Sequence, residues 1–165
     1  MIFKSLMNTP AALPHPWTED DIRLLASSRD FRHIGDIVLD VACRTSGQLV
    51  MVSGPMTSGG KGSVEANMAA YKRAMAHLQS KGYPIFNQLP GEDALKRHWR
   101  KWYDDGNKGY CWKLLDGVYS PIFCSGRVVK LVFMPNWQSS LGATWEHAMA
   151  DNLGIDREYL PVDWE

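Results

Sequence analysis

The stretch Leu49-Val50-Met51-Val52-Ser53-Gly54-Pro55-Met56-Thr57-Ser58-Gly59-Gly60-Lys61-Gly62-Ser63 decides the fold of this chain. Its first four residues form an unbroken apolar run, the pattern of a strand buried on both faces of a parallel sheet. A turn-rich segment follows. Ser63 is placed to cap a helix in which Val64, Met68, Tyr71, Met75 and Leu78 recur at helical spacing until Lys81-Gly82.

Working outward, Tyr83 to Asn87 reads as a second strand with Pro84 near its start, where a missing N–H is tolerated. Glu92 to Tyr103 reads as a helix whose Lys96, Arg97, His98, Arg100 and Lys101 make a solvated basic face. Tyr110 to Phe123 mixes apolar and polar residues without a clean period and is assigned to helix. Val128 to Met134 is the clearest strand, closed by Pro135; Leu141 to Leu153 is a helix ending at Gly154, and a last strand is expected near Glu158 to Val162. Upstream, Pro10, Pro14 and Pro16 predict an extended arm over the first sixteen residues. Thr18 can cap a helix opened by Glu19, Asp20 and Asp21, and Phe31 to Cys43 is a second helix. The expectation is therefore an α/β fold, a doubly wound parallel sheet of about four to five strands. Residues 1–46 form an N-terminal arm and helices, and residues 47–165 the α/β domain.

The 165 residues carry 18 Lys+Arg against 18 Asp+Glu, with 45% hydrophobic and 22% charged residues. Such values exclude disorder, collagen-like repeats and coiled coil, and a chain this long can bury a core without staples. Zero formal charge argues against binding long nucleic acids, whose affinity comes from surplus Lys and Arg. Cys43, Cys111 and Cys124 lack zinc or dithiol spacing and read as free thiols of a reducing compartment. No apolar run is long enough for a signal peptide or a membrane span, so a soluble cytoplasmic protein is expected. Most of the seven tryptophans are expected in packing, although aromatic surfaces also line pockets and subunit contacts.

Ligands of parallel sheets bind beyond the carboxyl ends of the strands, which directs attention to the loops after Val52 and Met134. The first departs from a Walker A loop: Lys61 comes one place late relative to Gly54, and Gly62 follows it instead of Ser or Thr. Its glycines nevertheless offer N–H groups to a phosphate or sugar hydroxyl, or serve only as a tight connection. In the second, Ser140 is a natural N-cap, and Gly142 allows close approach to the first helical turn. Gly142, Trp145, Met149 and Leu153 define the expected buried stripe, with Glu146 at its edge, partly desolvated toward the crevice or exposed on the helix flank. Partial burial suits a carboxylate that stabilises or attacks a cationic sugar carbon. His147 reads as a helix-surface or interface residue, and His77 and His98 lack metal-ligand partners.

Ser53-Gly54-Pro55-Met56-Thr57, then Gly82-Tyr83, Met134-Pro135-Asn136-Trp137 and Ser140-x-Gly142-x-x-x-Glu146-His147-Ala148 together resemble the nucleoside 2-deoxyribosyltransferase-like superfamily over roughly residues 48–155. The resemblance implies a flavodoxin-like fold that cleaves or exchanges the N-glycosidic bond of a (deoxy)nucleoside or its 5′-monophosphate. It makes Glu146 the nucleophile on C1′ or the group that stabilises its charge. Ser140 and Gly142 would hold the 5′ hydroxyl or phosphate, and Gly54, Pro55 and Met56 would line the sugar and base. It requires no metal and no cofactor. Water as acceptor gives a hydrolase, and a second base gives a transferase. Met51 stands where active relatives carry a tyrosine, and Asp116 is the nearest acid to the family's aspartate position. The other readings are a nucleotide-binding or sensing module without chemistry and an oligomeric interaction protein; relatives often share active sites across subunits, so a homo-oligomer is expected.

Overall fold

The structure, a computed structural model, describes residues 12–165, and most of the expected N-terminal arm lies outside the described residues. Strand β1 (Leu49–Ser53) is buried at all five positions. It pairs in parallel with β2 (Val128–Phe133), which pairs in parallel with β3 (Asp156–Tyr159), giving the order β1-β2-β3. Side chains alternate across the sheet. Leu49 and Met51 enter a core with Leu131 and Phe133 on one face, whereas Val50 and Val52 join Val132 and Met134 on the other.

Each face has its own helices. Val50 and Val52 meet Ala70, Tyr71, Ala74, Met75 and Leu78 of α3 (Val64–Ser80), capped by the Ser63 hydroxyl, which accepts from Ala66 N. The opposite face is covered by α1 (Glu19–Ala26), α2 (Phe31–Arg44), a later helix α5 (residues 112–124) and the last helix, α6 (Leu141–Leu153). Ile34, Val38 and Val41 of α2 share that core with Leu115, Val118 and Ile122 of α5. The helix pair touches backbone to backbone: a Cβ on Gly35 would lie 1.9 Å from the Gly117 carbonyl oxygen. Glycine is required at that crossing.

The expected strand at Tyr83 to Asn87 shrinks to a single parallel bridge between Ile85 and Val50. Val50 N–H donates to Pro84 O at 3.0 Å and Phe86 N–H to Val50 O at 2.9 Å. Pro84 has no N–H to extend the ladder, and Asn87 spends its groups elsewhere: its carbonyl accepts from the Trp17 indole at 2.7 Å and its side chain from Leu89 N. Among the described residues the sheet has three strands, not four or five. The last strand also comes two residues early, since Leu160 makes the final bond to Phe133 O and Pro161 follows.

Helix α5 is continuous but not uniform: Trp112–Leu114 and Ser120–Cys124 are α-helical, and Leu115–Tyr119 between them forms a π-helical turn. Its wider turn shifts the side-chain phase, which accounts for the missing period. In α6 the buried residues are Ala143, Glu146 and Ala150, whereas Leu153 is exposed. The expected stripe was thus displaced, and Glu146 occupies its centre. Small alanines let α6 lie closest to the protein along their own line, and the larger Trp145 and Met149 flank it half-buried. Among the described residues, no helix is long and apolar enough to cross a membrane.

Candidate functional site

A cavity of about 500 Å³ opens beyond the carboxyl end of β1. Its walls come from the loop after β1, from α3, from α4 (Glu92–Asp104), from α5 and its approach, and from the first turns of α6. Glu146 lies in the wall, 9% exposed, and its carboxylate accepts a hydrogen bond from the Ser53 hydroxyl. Ser53 is the last residue of β1, where the strand delivers its side chain to the crevice. Burial pushes the Glu146 carboxyl up to about 7, against the opposing pull of the Ser53 hydrogen bond. No cation pairs with it among the described residues. A buried carboxylate with one donor and no counter-charge sits near the midpoint of its titration at neutral pH.

Three tyrosines share the cavity wall with this carboxyl and feel its charge. Tyr71 and Tyr119 are buried, and both are pushed well above the usual phenol range, first by burial and then by the charges of Glu146 and Glu92. The Tyr71 hydroxyl donates to Val52 O at 2.7 Å, fixing α3 on the end of β1. Tyr110 is pushed up to about 12 by burial and by Glu146. It reaches over the start of α6, where a Cβ on Gly142 would lie 2.7 Å from its hydroxyl. Gly142 therefore makes room for Tyr110. Ser140 caps α6 by accepting from Ala143 N at 3.2 Å, leaving its hydroxyl proton to donate.

The glycine loop is held from within. Asn67, buried one turn into α3, accepts from Lys61 N at 2.7 Å and donates to Gly59 O at 3.0 Å. Gly60 N–H donates to the Ser139 hydroxyl at 2.9 Å, which ties this loop to the turn before α6. The N–H groups of Gly60 and Lys61 are thus engaged inside the protein, as in a tight connection. Gly54 lets the loops pass, because a Cβ there would lie 2.8 Å from both Cβ and Sδ of Met134.

Glu146, Gly54, Met56, Ser140 and Gly142 all line the cavity, so residues from two distant loops converge there. Pro55 faces a second hollow of about 260 Å³ with Lys61, Asn67 and Trp164. Asp116 is exposed on α5 and is absent from the cavity wall. His147 points away as well. Its ring stacks on Trp137 at 4.4 Å between centroids, packs against Phe133, and Nε2 lies 2.8 Å from the Tyr159 hydroxyl. Met51 is buried in the core, and Ser53 supplies the hydroxyl that meets Glu146.

The cavity also holds residues that sequence reasoning did not single out for chemistry: Ser53, Gln88, Glu92, Trp99, Tyr110 and Tyr119. Ser53 had a signal, a hydroxyl at the carboxyl end of a buried strand just before a glycine. Glu92 lay in a helix read as a solvated basic face, yet Lys96 and Arg100 of that helix stand in the cavity wall beside Trp99, which is 43% exposed. Among the described residues, no group of three or more His, Cys, Asp or Glu could hold a metal ion. No family model matches the chain, and neither a curated protein nor a solved structure does.

Proposed function

We propose that the protein cleaves or transfers the N-glycosidic bond of a nucleoside or nucleoside 5′-monophosphate, with Glu146 as the group that meets C1′. The observation that carries this reading is the buried Glu146 carboxyl, held by Ser53 alone at the carboxyl end of β1 in a cavity of about 500 Å³. A cavity of that size takes a nucleotide. Carbon C1′ becomes cationic as the base departs, and an otherwise uncompensated carboxylate gains most by meeting it. Tyr110, Tyr119 and Trp99 offer flat aromatic surface to a sugar and base. Lys96 and Arg100, without ion-pair partners among the described residues, offer positive charge to a 5′-phosphate. A flavodoxin-like arrangement belongs to the same reading, supported by parallel pairing with the Ile85 segment outside β1 and β2 and β3 on its other side.

The test is release of free base from a panel of nucleosides and their 5′-monophosphates, followed by chromatography. Wild type is expected to release base from at least one member, and Glu146→Gln to lose that activity by about 10³-fold or more. Silence across the whole panel would overturn the reading. If a nucleotide raised Tm equally in both proteins and no base appeared, a non-catalytic binding module would replace it, the reading that Met51 in the tyrosine's place favours.

A further inference from the structure

The cavity wall runs from buried residues to open ones. Glu146 and Tyr119 are 9% and 6% exposed, whereas Trp99 in the same wall is 43% exposed. Backbone N–H groups do little for a phosphate here. Those of Gly60 and Lys61 in the glycine loop go to Ser139 and Asn67. At the start of α6 the Ala143 N–H goes to Ser140, and the Tyr110 hydroxyl stands over Gly142. The cations of the wall are Lys96 and Arg100, both exposed and four residues apart on one face of α4. Glu92 of the same wall offsets up to one of their two charges, so charge alone holds an anion weakly there.

Trp99 belongs to the same stretch of α4. Its ring stacks on that of Tyr103, one turn on, with centroids 5.6 Å apart and planes 15° from parallel. Tyr103 lies outside the cavity wall, is 56% exposed, and like Trp99 takes no part in either core. Tyr103 therefore covers the indole face turned toward the end of the helix. The other face looks back along α4 toward Leu95, which lines the cavity. A backed, exposed indole beside two cations at the mouth has one face to offer to a flat ring.

We infer that the substrate is a dinucleotide whose two nucleosides are joined by a 5′,5′-diphosphate. One nucleoside has C1′ at Glu146 and lies against Tyr110 and Tyr119, the diphosphate lies on Lys96 and Arg100, and the second base stacks on Trp99. This rests on the glycosyl reading above and names its substrate class. Exposed cations hold a phosphate whose far side is open, so the ligand continues past it, and a monophosphate would leave Trp99 bare. The bond that breaks is still the one between C1′ and the first base. Its electron pair leaves with that base, C1′ goes to water or a second base, and the diphosphate and second nucleoside stay intact.

The experiment measures base release by the full chain from ligands that share one scissile bond: a nucleoside, its 5′-monophosphate, and that nucleotide joined to adenosine 5′-monophosphate through a diphosphate. Nicotinamide riboside, its mononucleotide and its adenine dinucleotide make one set; adenosine, its 5′-monophosphate and diadenosine diphosphate make another, and any other monophosphate that wild type cleaves makes a third. In wild type kcat/KM for the dinucleotide should exceed that for the monophosphate about ten-fold or more. Trp99→Ala should bring that ratio to within about two-fold of unity with Tm within a few degrees, and Trp99→Tyr should keep most of it. A merely structural role for Trp99 would lower both ligands alike and leave the ratio. Lys96→Ala with Arg100→Ala should lower both phosphorylated ligands at least about ten-fold relative to the nucleoside. A ratio near unity in wild type, or one that Trp99→Ala leaves unchanged, would overturn the inference while base release kept the glycosyl reading. Wild type that releases no base from any of these ligands would remove both.

Discussion

Asp21 and Glu146 are the two buried acids among the described residues, 3% and 9% exposed, and the protein answers their burial in opposite ways. At Asp21, burial would raise the carboxyl, but the Arg44 guanidinium at 2.6 Å, the Thr18 N–H and hydroxyl, and Arg44's charge together bring it below the usual range. Its other task is the capping box at the start of α1. At Glu146, one serine hydroxyl opposes burial and loses. Depth alone does not distinguish a structural acid from a reactive one; the counter-charge does. One acid is closed on its own partners, and the other stands in a cavity wall with a single serine hydroxyl as its donor.

Stability against pH should separate the two most widely. Glu146 ionises near 7 when folded against a usual 4.5, so the folded chain holds the extra proton between those values. Stability therefore falls as pH rises through that window and levels off above it. Glu146→Gln should remove that slope and raise stability at pH 8 by on the order of 3 kcal/mol, read from denaturant unfolding at several pH values. Asp21 carries the opposite sign. Its carboxyl is lowered from 3.8, so its contribution is present at neutral pH and lost as pH falls below about 4. Asp21→Asn should lose about 2 kcal/mol at pH 7, since Arg44 is partly exposed and partly solvated, and leave base release unchanged.

Smaller effects sharpen the contrast at the cavity. Gly142→Ala would push on the Tyr110 hydroxyl, so base release should fall about ten-fold while Tm stays within a few degrees. Asp116→Asn alters an exposed acid outside the cavity wall, and base release should stay within about two-fold of wild type.

Local chemistry made part of this legible. Thr18, Ser63 and Ser140 cap where a hydroxyl precedes an apolar period, and α6 ends at Gly154 as expected, with the glycine in the left-handed conformation. The apolar runs at Leu49 and Val128 marked β1 and β2, the first buried at every position and the second at all but Val129 and Lys130. What escaped were properties that arise between segments. Ala143 and Ala150 turn α6 so that Glu146 faces inward, which no side-chain size count along one helix reveals. The π turn at Leu115–Tyr119 sends Tyr119 inward and Asp116 outward, and it erased the period that would have told them apart. Glu92 and Gln88 enter the site only because the chain turns between Asn87 and α4, a bend set by Trp17, seventy residues away from Asn87. Helices α1 and α2, assigned to an N-terminal segment ahead of the α/β domain, share the core of the sheet's face, and α2 crosses α5 at Gly35 and Gly117.

The central claim is that Glu146 stands uncompensated in an open site, and its own titration tests that most directly. Infrared difference spectra of the full chain between pH 5 and 9, with Glu146→Gln subtracted, should isolate one carboxyl with its midpoint near 7. A midpoint at the usual 4.5 would contradict the account, because a counter-charge or open solvent would then be doing for Glu146 what Arg44 and Thr18 do for Asp21.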